Sequence, residues 1–158
     1  MHYKKLFEPT QIGNLYLKNR VVMGPMATQF ADHDHMPNQR LANHYAARAK
    51  GGAGLIITEH TVTQVVGTYG DRALWDFPES CIPHWKLVFD AVHQYGTKII
   101  VQLGNTGNSC TSDYNGGLPT VCASAIPESL YQVVPHEISL AEIEQFKRDY
   151  VDCAKNMY

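Results

Sequence analysis

The sequence predicts an α/β fold in which helices cover a parallel sheet. Apolar and amphipathic segments alternate along the 158 residues in the order β-α-β-α-β-loop-α. The predicted strands are apolar throughout, which is typical of parallel strands that are buried on both faces. In such folds right-handed crossovers join the strands, and functional residues gather at the carboxyl ends of the strands.

The first half of the chain contains two predicted strands with a helix between them. Residues 21–23 form the first strand, which Gly24 and Pro25 end. Residues 39–50 place apolar side chains at helical spacing before a pair of glycines, which predicts a helix and its end. Residues 55–58 form the second strand.

The second half contains two more predicted helices and a third strand. Pro83 is expected in the first turn of a helix, and a strand follows over 98–103. Residues 104–138 are rich in glycine and proline and are predicted to be irregular. Ser139 and Glu142 have the spacing of a capping box that starts the last helix, which Tyr158 is predicted to close. The apolar face of that helix is predicted to contain Ile143, Phe146, Tyr150 and Ala154.

Composition restricts the class of protein. The hydrophobic fraction is 44%, and 13 basic residues stand against 15 acidic ones with no basic cluster, which argues against a nucleic-acid partner. No run of 18 apolar residues occurs and the start lacks a signal-peptide pattern, so we expect a cytoplasmic protein without a membrane partner. The cysteines lack metal-site or disulfide spacing and are expected to be free thiols: Cys81, Cys110, Cys122 and Cys153.

Gln102 is the least expected residue of the third strand, because it follows three apolar β-branched residues. Burying a carboxamide without partners costs roughly 1–3 kcal/mol. At the carboxyl end of a strand, its donors and acceptor suit a flat heterocycle with imide-like edges. The alternative is that neighbouring backbone satisfies this side chain.

Two other features allow alternative interpretations. His33 and His35 have the His-x-His spacing of some barrel hydrolases, although zinc would need further ligands. Tyr69 and Trp75 follow the second strand and could form a lid or serve as structural aromatic residues.

Most of the chain resembles a known family. The resemblance rests on LFEPTQIGNLYLKNRVVMGPMAT, HYAARAKGGAGLIITE and KIIVQLGNTGN, and on the later SAIP and EISLAEIEQFKRDYVDCAKN. These segments are similar to the amino-terminal part of Old yellow enzyme-type NADH:flavin oxidoreductases. Within that family the chain looks nearest to the branch of the 2,4-dienoyl-CoA and enoate reductases.

The resemblance implies a TIM (β/α)8 barrel of which only the first three or so βα units are present. Because a complete barrel needs roughly 250 residues, residues 1–158 are expected to be the incomplete amino-terminal part of an FMN-binding barrel. The implied cofactors are FMN, with NADH or NADPH as reductant. An iron–sulfur cluster is expected only in a segment beyond this chain.

The family's flavin contacts are carried over by position. Pro25, Met26 and Ala27 match the segment that packs against the flavin ring, and Ala27 stands where relatives often have threonine or cysteine. His60 stands where the family usually has a small residue that contacts the ring. Gln102 matches the glutamine that binds the pyrimidine side of the flavin.

The chain is expected to be part of an FMN-dependent oxidoreductase of the ene-reductase type. FMN would carry hydride from NAD(P)H to the activated double bond of an enone- or enoate-type small molecule. No catalytic residue and no metal ligand is assigned here, because the family's substrate-anchoring histidines and proton-donating tyrosine would follow this chain, which is expected to be inactive alone. The usual Leu-x-His-x-Gly-Arg is replaced by Leu103–Asn108, which lacks both the histidine and the arginine. The alternative is a non-catalytic half-barrel that forms a homo-oligomer or binds a partner.

Overall fold

The computed structural model describes residues 3–157, and Tyr158 lies outside them. The strands within these residues are β1 (Thr10–Ile12), β2 (Leu15–Leu17), β3 (Val22–Met23), β4 (Leu55–Val62), β5 (Leu74–Trp75), β6 (Lys98–Gly104), β7 (Val121–Cys122) and β8 (His136–Glu137). The α-helices are α1 (Gln39–Lys50), α2 (Ile82–His93) and α3 (Leu140–Asn156).

The central sheet is parallel, as predicted. β4 lies in the middle, β6 pairs along one edge, and β3 and β5 pair with the two ends of the other edge. β4 continues to Val62 rather than ending at residue 58. It continues because Thr61 and Val62 pair with strands on both sides, although the polar Glu59 and His60 had indicated an end.

The core lies between the sheet and the first two helices. Asn38 caps the start of α1, because its side-chain oxygen accepts a hydrogen bond from the Leu41 amide at 3.0 Å. The helix ends before Gly52, which has a φ of +105°. The largest fully buried apolar side chains are Leu17, Leu41, Tyr45, Ile56, Val62, Leu74, Trp85, Val88 and Val92. Each such side chain stabilises the fold by roughly 1.5–3 kcal/mol.

The last helix differs from its prediction in what it buries. The capping box of Ser139 and Glu142 is confirmed. Ile143, Phe146 and Tyr150 share one face, as expected, but line an open groove, while Ala154 is exposed. Cys153 is the fully buried residue of α3, because the sheet reaches only its carboxyl-terminal part and no layer within residues 3–157 covers the rest.

Several short elements were not predicted. β1 and β2 form an antiparallel hairpin, for which Gly13-Asn14 between Ile12 and Leu15 is the sequence signal. Within the segment predicted to be irregular, β7 and β8 form a two-residue parallel pair.

The four cysteines are free thiols, as predicted. Within residues 3–157, no helix has both the length and the apolar character that a membrane span requires.

Candidate functional site

A β-bulge shapes the carboxyl end of the central strand. Ile57 pairs with Ile100 and His60 pairs with Gln102, so β4 contains one residue more than β6 over this stretch. The bulge interrupts the backbone hydrogen bonds between the two strands. The Thr58 hydroxyl replaces one of them, since it accepts a hydrogen bond from the Gln102 amide at 3.1 Å. A bulge re-aims the side chains beside it, and here it brings His60 into register with Gln102.

Two of the predicted site residues line one cavity at this end of the sheet. Ala27 follows β3 and His60 lies on β4, and both contact a cavity of about 160 Å³. The remaining lining residues come from three loops: Tyr69, Thr106, Ser109 and Tyr131. Sequence reasoning missed the last three, because no periodic pattern fixes where residues of an irregular loop lie.

The predicted segment after β3 presents an exposed surface. Pro25, Met26 and Ala27 are all exposed, and Met26 retains 70% of its accessible surface. Met26 and Ala27 also line a groove of about 440 Å³ that has an almost entirely apolar wall. An exposed apolar surface of this kind is typical of a site that a ligand or another protein segment covers.

The side chain of Gln102 is available to a ligand. Its backbone amide is satisfied by Thr58, but its carboxamide is exposed and has no hydrogen-bond partner among residues 3–157. The alternative of a carboxamide satisfied by neighbouring backbone is therefore wrong for these residues. Two donors and one acceptor remain available for a ligand.

His60 is held tightly beside the strand that carries Gln102. A Cβ atom added to Gly104 would lie 2.6 Å from the imidazole Cε1, so the ring occupies the space that any other residue at 104 would need. The Tyr69 ring packs edge-on at 5.2 Å, and its hydroxyl donates to the His60 carbonyl at 3.1 Å. Burial lowers the pKa of His60, an effect that the Gly104 carbonyl partly offsets, and the buried Nε2 has no partner among residues 3–157.

Glu59 lies directly behind the exposed segment. Its side chain is fully buried and accepts hydrogen bonds from Thr28, at 2.7 Å from the amide and 2.5 Å from the hydroxyl. Burial raises the pKa of Glu59, and the donors on Thr28 and Gln29 oppose that rise. Its position at a strand end was visible in the sequence, but its contact with the β3 loop was not.

The residues present fit a flavin. The exposed apolar surface at 25–27 can face a ring system, and the free Gln102 carboxamide can pair with an imide edge. The orphaned imidazole nitrogen and the unpartnered carboxamide lie on paired residues of β4 and β6. Polar groups are thus placed at this edge beside an apolar surface, which is the usual composition of a cofactor site.

The His-x-His pair is engaged elsewhere. Arg72 donates to His33 Nε2 at 3.0 Å, while His35 stacks on Trp75 at 3.9 Å and bonds the Ala73 carbonyl. Within the described part of the chain, no three side chains suited to a metal ion come together. Because Trp75 stacks on His35, it is a structural aromatic residue, whereas Tyr69 lines the cavity.

Comparison with solved structures defines the class as a β/α barrel of the old yellow enzyme type. The old yellow enzyme homologue from Zymomonas mobilis superposes with a TM-score of 0.85 at 30% identity, over 96% of this chain and 44% of that one. Morphinone reductase in complex with tetrahydroNAD superposes with a TM-score of 0.89 at 27% identity, over 96% and 46%. The predicted fold class is confirmed.

The chain belongs to the NADH:flavin oxidoreductase / NADH oxidase family, whose model matches residues 5–157. It is 37% identical to an NADH oxidase of Thermoanaerobacter brockii over 156 residues, 97% of this chain and 24% of the relative. It is 35% identical to a chanoclavine-I aldehyde reductase of Penicillium roqueforti over 156 residues, 96% and 42%. The chain thus spans between a quarter and less than half of these relatives, and the predicted resemblance is confirmed.

Proposed function

We propose that residues 1–158 form the amino-terminal part of an FMN-binding barrel in an NAD(P)H-dependent oxidoreductase of the ene-reductase type. The observation that carries the proposal is the convergence of Ala27, His60 and Gln102 at the carboxyl edge of one parallel sheet. Membership of the flavin oxidoreductase family supports FMN as the ligand of that edge. Placement in the enoate-reductase branch stays a prediction.

Each proposed contact has a physical role. Pro25, Met26 and Ala27 present the apolar surface on which the flavin ring would pack. Gln102 would hydrogen-bond the polar pyrimidine side through its free carboxamide. His60 would bound the cavity beside Ala27 with an imidazole whose pKa burial lowers.

FMN, when bound, supplies the transfer of hydride between NADH or NADPH and the activated double bond of an enone- or enoate-type molecule. The residues of this chain hold the ring, exclude water from its apolar face and fix its orientation. Ala27 has neither a hydroxyl nor a thiol, so it cannot donate a hydrogen bond to the ring. We assign no proton donor among these residues.

The proposal includes a reducing, cytoplasmic location. All four cysteines are unpaired, and two of them, Cys81 and Cys153, are buried close to carboxyl groups that raise their pKa further. Free thiols are the usual state of cysteines in the cytosol.

Replacing Gln102 by leucine tests the central contact. The change removes the hydrogen bonds to the pyrimidine side and keeps the size of the side chain, so we expect about tenfold weaker FMN binding. Fluorescence titration with FMN of the full-length protein that contains these residues measures the Kd, and a shift in the flavin reduction potential is expected with it.

Gln94→Leu is the matched control. Gln94 is exposed just beyond α2, at the end of the sheet opposite to Gln102, and its side chain bonds only the Ala91 carbonyl. The control should bind FMN as the unchanged protein does. Equal affinity and potential in Gln102→Leu would overturn the assignment of Gln102.

A non-catalytic half-barrel that assembles through its sheet edge is the second candidate. β6 pairs only with β4 among the described residues, and Ile100 on β6 is 43% exposed. An unpaired parallel edge favours association with another chain. A stable oligomer that takes up no FMN in sedimentation and titration experiments would favour this candidate over the flavoenzyme.

A further inference from the structure

The segment that would face the flavin has no regular structure of its own. Residues 24–30 follow β3 as an extended loop without helix or strand. Four consecutive exposed residues, 24–27, form its outer surface, and the next three are half-buried. A surface that positions a cofactor must be held within fractions of an ångström, so other parts of the fold have to fix this loop.

Glu59 makes the main contact with the loop from behind. One carboxyl oxygen accepts from the Thr28 hydroxyl at 2.5 Å, and the other accepts from the Thr28 amide at 2.7 Å and the Gln29 amide at 3.4 Å. No basic side chain pairs with Glu59 within residues 3–157. Its side-chain hydrogen bonds are therefore made to the loop alone.

Glu59 is itself fixed at its backbone. Its amide donates to the Tyr45 hydroxyl on α1 at 2.8 Å, and its carbonyl accepts from the hydroxyls of Thr58 and Thr61 at 3.1 Å each. The bulge in β4 accounts for this arrangement, because it sets Glu59 out of the regular ladder and leaves its backbone groups to side chains. A carboxyl group that the backbone of β4 holds in place thus stands behind a loop without regular structure.

The backbone at Gln29 is strained, which requires such support. Gln29 has a φ of +55°, in the left-handed region that residues other than glycine adopt infrequently. Its side chain accepts from the Arg72 amide at 3.2 Å and packs on Gly70, where an added Cβ would lie 2.6 Å from its Nε2. Strain of this kind persists only where surrounding contacts over-determine the conformation.

We propose that Glu59 is a positioning residue for the cofactor: through Thr28 and Gln29 it holds residues 25–27 in the conformation that contacts the flavin ring. This inference rests on the proposed function of the same site. Glu59 does not itself reach the ring, because Thr28 and Gln29 lie between its carboxyl group and the exposed surface.

Two single variants and their double variant test the inference. Glu59→Gln replaces the carboxyl group that holds the loop by a neutral carboxamide with a single acceptor oxygen, and Thr28→Val removes the hydroxyl while keeping the shape of the side chain. We expect Glu59→Gln to weaken FMN binding about tenfold and to shift the flavin potential and visible spectrum, with a smaller change in Thr28→Val. The double variant should lose less than the two single losses added together, because both act through one contact.

Thr28→Ser is the matched control, since it retains the hydroxyl that bonds Glu59. It should bind FMN with the Kd, spectrum and potential of the unchanged protein. Because the spectrum and the potential report on the flavin environment, a role in folding alone would leave them unchanged.

The outcomes separate the inference from the proposed function. If the unchanged protein binds FMN and both Glu59→Gln and Thr28→Val keep its Kd, spectrum and potential, the inference is overturned and the proposed function stands. All these measurements use the complete protein of which residues 1–158 are the proposed amino-terminal part, and if that protein binds no FMN, the proposed function fails and the inference fails with it. If Glu59→Gln does not fold, the comparison of Thr28→Val with Thr28→Ser decides, and equal flavin properties in the two overturn the inference.

Discussion

Two buried carboxyl groups, Glu59 and Asp76, lie near the carboxyl end of β4. Both are fully inaccessible to solvent, and neither forms an ion pair within residues 3–157. Glu59 supports the loop at the candidate flavin site. Asp76 follows β5 and lies where α3 joins the sheet, since its carbonyl accepts from the Asn156 side chain at 2.8 Å.

The two groups differ in the donors that surround them. Glu59 accepts hydrogen bonds from two backbone amides and a hydroxyl. Asp76 accepts only from the Cys81 thiol at 3.2 Å, and its Oδ2 has no partner among the described residues. A thiol is a weak donor, so the cost of burying a charged carboxylate is offset much less at Asp76.

This difference affects protonation. Burial raises the pKa of Asp76 to about 7, and the Cys81 thiol opposes that rise only slightly. Burial also raises the pKa of Glu59, but the Thr28 hydroxyl and the two amides act against it. Glu59 holds the backbone of the loop, and the loop supplies the hydrogen-bond donors that its carboxyl group needs. Within residues 3–157, Asp76 holds no backbone through its carboxyl group, and such donors are lacking around it.

The largest effect that the comparison predicts is on folding stability at Glu59. Glu59→Leu would leave the amide and hydroxyl of Thr28 without their acceptor, at roughly 1–3 kcal/mol for each unsatisfied buried group. We expect the free energy of unfolding to fall by about 3 kcal/mol, measured by urea unfolding at pH 7.

Glu144→Leu serves as the control, because Glu144 is exposed and pairs only with Lys147. Its effect should stay within about 0.5 kcal/mol. A loss of that small size in Glu59→Leu as well would mean that the loop does not depend on the buried carboxyl group.

The next effect is a dependence of stability on pH at Asp76. The pKa of about 7 in the folded protein lies above the ordinary 3.8, so the folded state retains a proton that the unfolded state has released. The resulting stabilisation is fully present below about pH 4 and is lost as the pH rises to 7. Asp76→Asn removes the titration and keeps the shape of the side chain.

Urea unfolding of both proteins at pH 5 and pH 8 measures this effect. The stability of the unchanged protein relative to Asp76→Asn should fall by on the order of 2 kcal/mol between the two pH values. An equal difference at both pH values would show that Asp76 keeps an ordinary pKa in the folded protein.

The elements that position the site follow from local sequence patterns. The turn chemistry of Gly51-Gly52 and the capping box at Ser139 depend on residues a few positions apart, and both agree with the structure. The order of parallel strands likewise follows from the alternation of segments along the chain. Family resemblance, rather than pattern, supplied the flavin contacts proposed at 25–27, 60 and 102.

The two carboxyl environments could not be predicted in this way. The bulge behind Glu59 depends on the pairing of β4 with β6, which lies more than 40 residues further along the chain. Asp76 is covered by α3, whose Asn156 contact spans 80 residues of sequence. Polar residues at 59 and 60 therefore predicted the end of a strand, although long-range pairing continues it.

The smallest predicted effect concerns the start of α3, far from Glu59. The Ser139 side chain accepts from the Glu142 amide at 3.3 Å, and the Ser139 hydroxyl and amide hold the pKa of Glu142 down to about 2. Ser139→Ala should cost about 1 kcal/mol of unfolding free energy and speed hydrogen exchange in the first turn of α3, whereas Ser139→Asp should retain the cap. Because Asn156 and Cys153 fix the other end of the helix at Asp76 and Thr63, FMN affinity should stay unchanged in Ser139→Ala. Weaker FMN binding in that variant would mean that the contact between α3 and the sheet is coupled to the loop at Glu59. The two regions could then no longer be treated as independent.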